Sequence, residues 1–401
     1  MRFHVGMIAG MGAIVVCLLV GCGGQPPQDD GKVIKIGNTM PYSGPASAYG
    51  TIGKAIAAYF KKVNAEGGVN GRSIEFISLD DGYSPPKTKE QTRKLVEREK
   101  VLFMMGSLGT AANSAVQEYL NRRGVPQLFV STGATKWGQP EVFPWTMGWQ
   151  PSYATESRLF GQYILKHHPD ATIAILYQND DYGKDYVHGL RETLGDRAEA
   201  MIVAEQSYET SDPTVDAQLL QLRASGATLF YNITTPKFAA QAIKKLDELQ
   251  WQPIHLLNSI SASITSVLEP AGADRSKGII TLGYYKDPKN PGMAQDPAFQ
   301  EWSAWMQNYY PDGDPGDSFN VYGYLVGQTV VHILERAGDD LSRENIMKLA
   351  ADIKGLHLGM LLPGIDINTA GEDYFPIEKM QPSVFNGVYM DRLDEIVVLD
   401  P

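Results

Sequence analysis

The residues that most invite a chemical reading are Gly106-Ser107-Leu108-Gly109-Thr110, which follow a short apolar run and open a helical pattern reaching Arg122. A helix start presents N–H groups without carbonyl partners, together with the positive end of the helix dipole. It can therefore hold a carboxylate without any cationic side chain. The Ser107 and Thr110 hydroxyls can add donors to such a site, or can simply cap the helix. A second hydroxyl-rich loop, Ser131-Thr132-Gly133-Ala134-Thr135, follows the next apolar run. Taken together, the two loops read as an anion pocket.

Other chemistry is poorly supplied. Asp80-Asp81 and Asp180-Asp181 are adjacent carboxylates that suggest acid/base work, yet each pair sits where a strand-end turn needs a capping aspartate. The chain contains no G-x-S-x-G elbow, P-loop, dinucleotide fingerprint or H-E-x-x-H. His167 and His168 are neighbours and point to different sides, so one metal cannot use both; His188, His255, His332 and His357 are scattered. No catalytic residue, cofactor or metal is expected.

The N-terminus carries a different kind of signal. Arg2 and His4 precede an apolar, Gly-interrupted run over 5–20, too short for a comfortable membrane span and suited to a signal-peptide core. It ends in Leu19-Val20-Gly21-Cys22, which resembles a bacterial lipobox and makes Cys22 the lipidated first mature residue. A non-lipidated signal peptide with an incidental cysteine is the alternative. The other cysteine, Cys17, would leave with the signal peptide, so no disulfide is expected. Residues 25–31 read as a flexible tether. The formal net charge of -11, from 35 basic and 46 acidic residues, disfavours nucleic acid as a partner.

From Lys32 onward, strand-like and helix-like runs alternate. Strands are expected over 33–37, 73–79, 101–105 and 127–130, with helices over 51–65, 86–99 and 111–122 between them. The rhythm restarts after Gln150, with strands over 172–177, 201–207, 228–232, 253–258 and 278–283. Such a rhythm implies α/β architecture with two doubly wound parallel-sheet lobes. Helices over 297–309, 319–337 and 343–352 follow. The tail reads as a hairpin of 385–390 with 395–399. Ligands of open parallel sheets bind beyond the carboxyl ends of the strands, where Ser, Thr, Gly and Tyr gather here and Arg, Lys and His are scarce.

These segments resemble the periplasmic solute-binding proteins of the branched-chain amino acid type, which serve ABC importers. The likeness rests on Met40-Pro41-Tyr42-Ser43-Gly44-Pro45, Gly67-Gly68-Val69-Asn70-Gly71-Arg72, Asp80-Asp81, Gly106-Ser107, 131–135 and Asp181-Tyr182-Gly183. It implies the type I fold: two lobes joined by a three-strand hinge that closes on ligand. By position, Ser107, Gly133 and Thr135 look like carboxylate partners, with Thr110 beside them. Tyr49, Tyr182 and Tyr322 look like aromatic walls. The implied divisions are 1–21 signal peptide, 22–31 tether, 32–148 and 283–355 lobe one, and 149–282 and 356–401 lobe two. The expected partners are a small carboxylate ligand, membrane permease subunits and the membrane itself through the lipid. The expected state is a monomer at the periplasmic or cell surface.

One departure bears on the ligand. Amino acid binders of this type hold the ammonium with an acidic residue near 258–263, but here the stretch reads Asn-Ser-Ile-Ser-Ala-Ser. A buried ammonium without a counter-charge costs several kcal/mol, so of the two ligand readings, an amino acid or an amine-free organic or aromatic acid, the second is preferred. A ligand-sensing receptor component is a rival reading. An exported hydrolase built on Ser107 or Asp80/Asp81 is another.

Overall fold

The computed structural model describes Met1, residues 32–393 and residues 396–398; the expected signal segment, tether and Cys22 lie outside the described residues. The first lobe is built from β1 (Val33–Met40), α1 (Gly50–Ala65), β2 (Ser73–Asp80), α2 (Pro85–Arg93), β3 (Phe103–Met105), α3 (Thr110–Arg122), β4 (Gln127–Val130) and β5 (Thr146–Gly148). Its strands form one parallel sheet in the order β2-β1-β3-β4-β5. Crossover helices cover both faces of such a sheet, and every residue of β3 and β4 is accordingly buried. The three-residue β5 is too short to show a hydrophobic period and was not among the expected strands.

The second lobe follows with α4 (Tyr153–His167), β6 (Ile173–Gln178), α5 (Asp181–Leu194), the short α6 (Ala198–Met201), β7 (Ile202–Tyr208), α7 (Asp216–Ala224), β8 (Leu229–Ile233), α8 (Pro236–Glu248), β9 (Ile254–Leu257), the short α9 (Glu269–Ala271) and α10 (Ala273–Ser276), and β10 (Ile280–Gly283). Its parallel part runs β10-β9-β8-β6-β7. The chain then returns to the first lobe as α11 (Pro297–Tyr309), α12 (Ser318–Ala337) and α13 (Arg343–Ala350). It re-enters the second sheet as β11 (Lys379–Phe385), antiparallel to β10, and adds β12 (Met390–Arg392) and β13 (Val397–Val398), both antiparallel to β11. Local chemistry sets the helix starts that matter for the site. The side chains of Ser152, Asp180 and Asp317 cap α4, α5 and α12 by accepting from their first-turn amides.

Two sequence expectations are corrected. Phe385 ends β11 and Met390 begins β12, so the tail hairpin turns at 386–389 and not after 390. The cause is local: Asn386 Oδ1 accepts from the amides of Val388 and Tyr389, and Gly387 takes φ 105°. Residue 356 is not where the chain rejoins the second lobe. Over 356–378 it stays against the first lobe, where Thr369 Oγ1 donates to the Ala350 carbonyl and the Tyr374 hydroxyl to the Pro144 carbonyl. The chain crosses between the lobes at 149–152, at 284–287 and just before Lys379, and the segment around 360 pairs with the second crossing. There the Lys286 amide donates to the Met360 carbonyl at 2.8 Å and the Leu362 amide to the Tyr284 carbonyl at 3.0 Å.

Helix α12 lies close along α1 because Gly323 has no side chain. A Cβ there would stand 2.6 Å from the Ile52 carbonyl oxygen and 2.7 Å from the Ala55 Cβ. Gly323→Ala is therefore expected to destabilise the fold by about 1–3 kcal/mol. Urea unfolding checks this, and an unchanged midpoint would show that the two helices separate without cost.

Candidate functional site

The carboxyl ends of the two sheets face each other across a narrow cavity. Tyr49, Tyr83, Phe319 and Tyr322 come from the first lobe, Tyr153 and Tyr182 from the second, and Tyr284 and Tyr285 from a crossing strand. None of the residues lining it carries a charge; the polar groups are Ser131, Gln150, Thr235, Ser259 and the tyrosine hydroxyls. The rings brace one another at an angle, with centroids 5.0 Å apart for Tyr153 and Tyr182 and 5.1 Å for Tyr49 and Phe319. Burial pushes the phenols of Tyr49, Tyr83, Tyr153 and Tyr182 up, so each stays a neutral hydrogen-bonding group.

Of the residues singled out in the sequence, Tyr49, Tyr182 and Tyr322 line the cavity. Tyr322 donates its hydroxyl to Gln150 Oε1 at 3.0 Å. With the Asn258 amide nitrogen donating to the Thr234 and Asn232 carbonyls, the Asn258 oxygen accepts the Tyr182 hydroxyl at 2.6 Å. The hydroxyl residues sit behind this wall. Ser107 Oγ accepts from the Thr39 amide at 3.1 Å, tying β1 to the start of α3. Thr110 Oγ1 is 2.6 Å from Thr132 Oγ1, which in turn accepts the Tyr153 hydroxyl at 3.2 Å. The Gly133 carbonyl accepts from the Tyr153 amide, and a Cβ on Gly133 would press on the Pro151 carbonyl at 2.6 Å. The expected anion loops thus reach the cavity through Gly109 and Ser131, while Ser107, Thr110 and Gly133 support the frame. Gly109 has φ 98°, and a Cβ there would lie 2.6 Å from the Tyr83 ring, so only glycine leaves that ring its place.

Thr135 has a different role. Its amide and hydroxyl donate to Asp185 Oδ2, at 2.8 and 3.0 Å, across the gap between lobes. Lys136 Nζ meets Asp181 Oδ2 at 3.1 Å beside it. On the opposite side, Ser263 and Ser266 donate to the Asp317 carboxylate at 2.9 and 2.8 Å. In the middle, the Tyr49 hydroxyl donates to the Ile260 carbonyl at 3.0 Å. These pairs join residues from opposite lobes, so the conformation is a closed one.

The nearby acids are all engaged. Asp80 accepts from Ser43 and Gly82, and Asp81 from Tyr83 and Thr88, so the pair holds a turn rather than a proton-transfer site. Asp180 accepts from the amides of Tyr182 and Gly183 and from Gln178, with its carboxyl pushed up by burial to about 6. Glu156, on α4, is the acid the sequence reading overlooked. It is buried behind Ser259, accepts from the Ser259 amide and hydroxyl and from the Tyr186 hydroxyl, and burial raises its carboxyl to about 7. Its side chain is absent from the cavity wall. Among the described residues no group of His, Cys, Asp and Glu could hold a metal ion. Tyr83, Tyr153, Tyr284, Tyr285 and Ser259 were also not singled out. Tyr83 follows the Asp80-Asp81 turn by two residues and Ser259 lies in the 258–263 stretch, whereas Tyr284 and Tyr285 carry no local signal beyond following a strand.

Two expectations follow. Asp185→Asn weakens the pairing with Thr135, so ligand affinity should fall about three- to tenfold while the unfolding midpoint hardly moves; equal affinity would make the contact incidental to closure. The second concerns pH. The folded state keeps the Glu156 proton from about 4.5 to about 7, where the unfolded chain has lost it, so stability falls as pH rises through that window. Thermal melts should show that decline, and Glu156→Gln should reduce it, leaving the slope due to Asp180 and the other carboxyls that burial raises, Asp81, Asp185, Asp287, Asp317 and Glu378. A Glu156→Gln chain with the wild-type slope would show that Glu156 is ionised throughout.

The sequence profile of the periplasmic binding protein family matches residues 33–381. The Leu/Ile/Val-binding protein homolog 1 of Brucella suis biovar 1 is 24% identical over 322 residues, covering 78% of this chain and 80% of its own. A branched chain amino acid ABC transporter structure from Thermus thermophilus with bound valine superposes with TM-score 0.81 at 17% identity, covering 92% of this chain and 97% of the other. A fatty acid ABC transporter substrate-binding protein from Thermomonospora curvata gives 0.78 at 21% identity, covering 92% and 93%. The resemblance expected from the motifs is met: with a family match over most of its length and two facing α/β lobes around a closed cleft, this chain belongs to the periplasmic binding protein family.

Proposed function

We propose that this chain is the extracytoplasmic substrate-binding subunit of an ABC importer of the branched-chain amino acid type, and that it takes an aromatic or otherwise apolar carboxylic acid lacking an amine. The observation that carries the ligand reading is the cavity wall, with eight aromatic rings and no charged side chain. An ammonium would enter that wall without a counter-ion, because the nearby Glu156 is consumed by three donors. A carboxylate has a seat at the start of α3, where Gly109 lines the cavity and the first-turn amides lack carbonyl partners within the helix. Related proteins are named for branched-chain amino acids and for a fatty acid, so the same architecture serves ligands with and without an amine.

In operation, the open form receives the acid on the first lobe. Closure brings Tyr153, Tyr182 and Ser259 over it and expels water, and the permease engages the closed form. The ligand shifts the equilibrium only to the extent that it binds the closed form more tightly. Leu19-Val20-Gly21-Cys22 supports a lipid anchor on Cys22 that keeps the chain at the membrane surface. No helix among the described residues is long and apolar enough to cross a membrane.

A thermal-shift panel tests the ligand class: 4-hydroxybenzoate and phenylacetate should raise the melting temperature, and leucine and valine should not. Stabilisation by leucine or valine alone, or by a quaternary ammonium that favours the tyrosine faces, overturns the reading. Cys22→Ser should move the chain from the membrane to the soluble fraction, and retention at the membrane would remove the lipid from the account.

A further inference from the structure

Beyond Ser259, Tyr284 and Tyr285 the cleft continues into a second, partly open chamber, and those three residues line both spaces. Its far walls come from the ends of β10, β11 and β12 in the second lobe and from the loop before α12 in the first. It therefore opens between the lobes, as the tyrosine cavity does. Three features mark it as a space built for part of a ligand.

The first is a missing side chain. Gly283 lines the chamber, and a Cβ built there meets nothing within 4 Å, so this crossing-strand residue leaves room that almost any other would fill. The second is an unanswered polar group. Thr281 also lines the chamber, is only 4% exposed, and its hydroxyl has no partner. A buried hydroxyl left unpaired is costly, and a ligand group is one way to satisfy it. The third is charge. Asp287, the carboxylate in the chamber, already accepts from the amides of Lys289 and Met390, while Arg392 stands exposed at the rim. One acid and one base leave no dominant sign, which suits an uncharged polar group.

We infer that the second chamber is a subsite for the far end of an elongated ligand: an aromatic acid extended by an uncharged, hydroxyl-bearing arm. This rests on the acid reading given above. The acid and ring occupy the tyrosine cavity, the arm passes Ser259 and Tyr284, and a hydroxyl of the arm pairs with Thr281.

Calorimetric titration of the full chain with 4-hydroxybenzoate and with its 4-O-β-glucoside tests the inference. The glucoside should bind about tenfold more tightly than the free acid, the gain of one well-made buried hydrogen bond. Gly283→Leu fills the chamber and should erase that advantage while leaving the free acid bound as before. Thr281→Val, which keeps the shape and removes the hydroxyl, should reduce the advantage several-fold. A glucoside no tighter than the free acid, or an advantage that survives Gly283→Leu, overturns the subsite and leaves the acid reading intact. Failure of both compounds to bind removes the acid reading and the subsite with it.

Discussion

Closure drives water from a cleft whose wall offers rings, hydroxyls and amides but no ion, and much of the arrangement around it answers to that loss of solvent. In so dry a space a charge without a partner costs several kcal/mol, whereas a neutral ring gains by burial. The protein meets the constraint on its own side first. Glu156 and Asp180 lie close enough to influence the buried tyrosines, yet each is set back and saturated with donors, and each carboxyl is raised towards neutrality by burial. The tyrosines themselves remain un-ionised for the same reason.

The same constraint explains where carboxylates are tolerated. The loop after β4 has the composition of an anion-binding loop, and the carboxylate it holds is the protein's own. Asp185 reaches across from α5 to the amide and hydroxyl of Thr135. The loop was read as part of a pocket for a ligand's acid, and the acid that Thr135 receives here belongs to the opposite lobe. Contacts of this sort, with Ser263 and Ser266 on Asp317 at the other side, are available only when the lobes meet. They stabilise the closed form without touching the ligand, and so set how much additional binding energy a ligand must supply to shift the population.

Selectivity then falls to shape. The tyrosine cavity presents flat, apolar ring faces. The crossing strand that carries Tyr284 and Tyr285 also carries Gly283, where the absence of a side chain leaves adjoining space open. A hinge strand therefore contributes to the wall as well as to the motion, and a single side chain at that position would alter the size of ligand admitted.

Much of this was legible in the sequence. Alternating strand and helix patterns, glycines at turns and capping aspartates are local signals, and they specified two α/β lobes and most strand positions; the wall residues Tyr49, Tyr182 and Tyr322 came from the family resemblance. Short-range patterns also favoured the cap reading for Asp180, which the structure shows. The tertiary structure decided which residues distant in the chain meet. Ser107 faces the Thr39 amide and not the cavity, Thr135 faces Asp185, and Glu156 comes to stand behind Ser259 from 103 residues away. No local period encodes such meetings: the first and last depend on how strands, loops and helices pack within one lobe, and the Thr135–Asp185 contact on how the two lobes are set against each other.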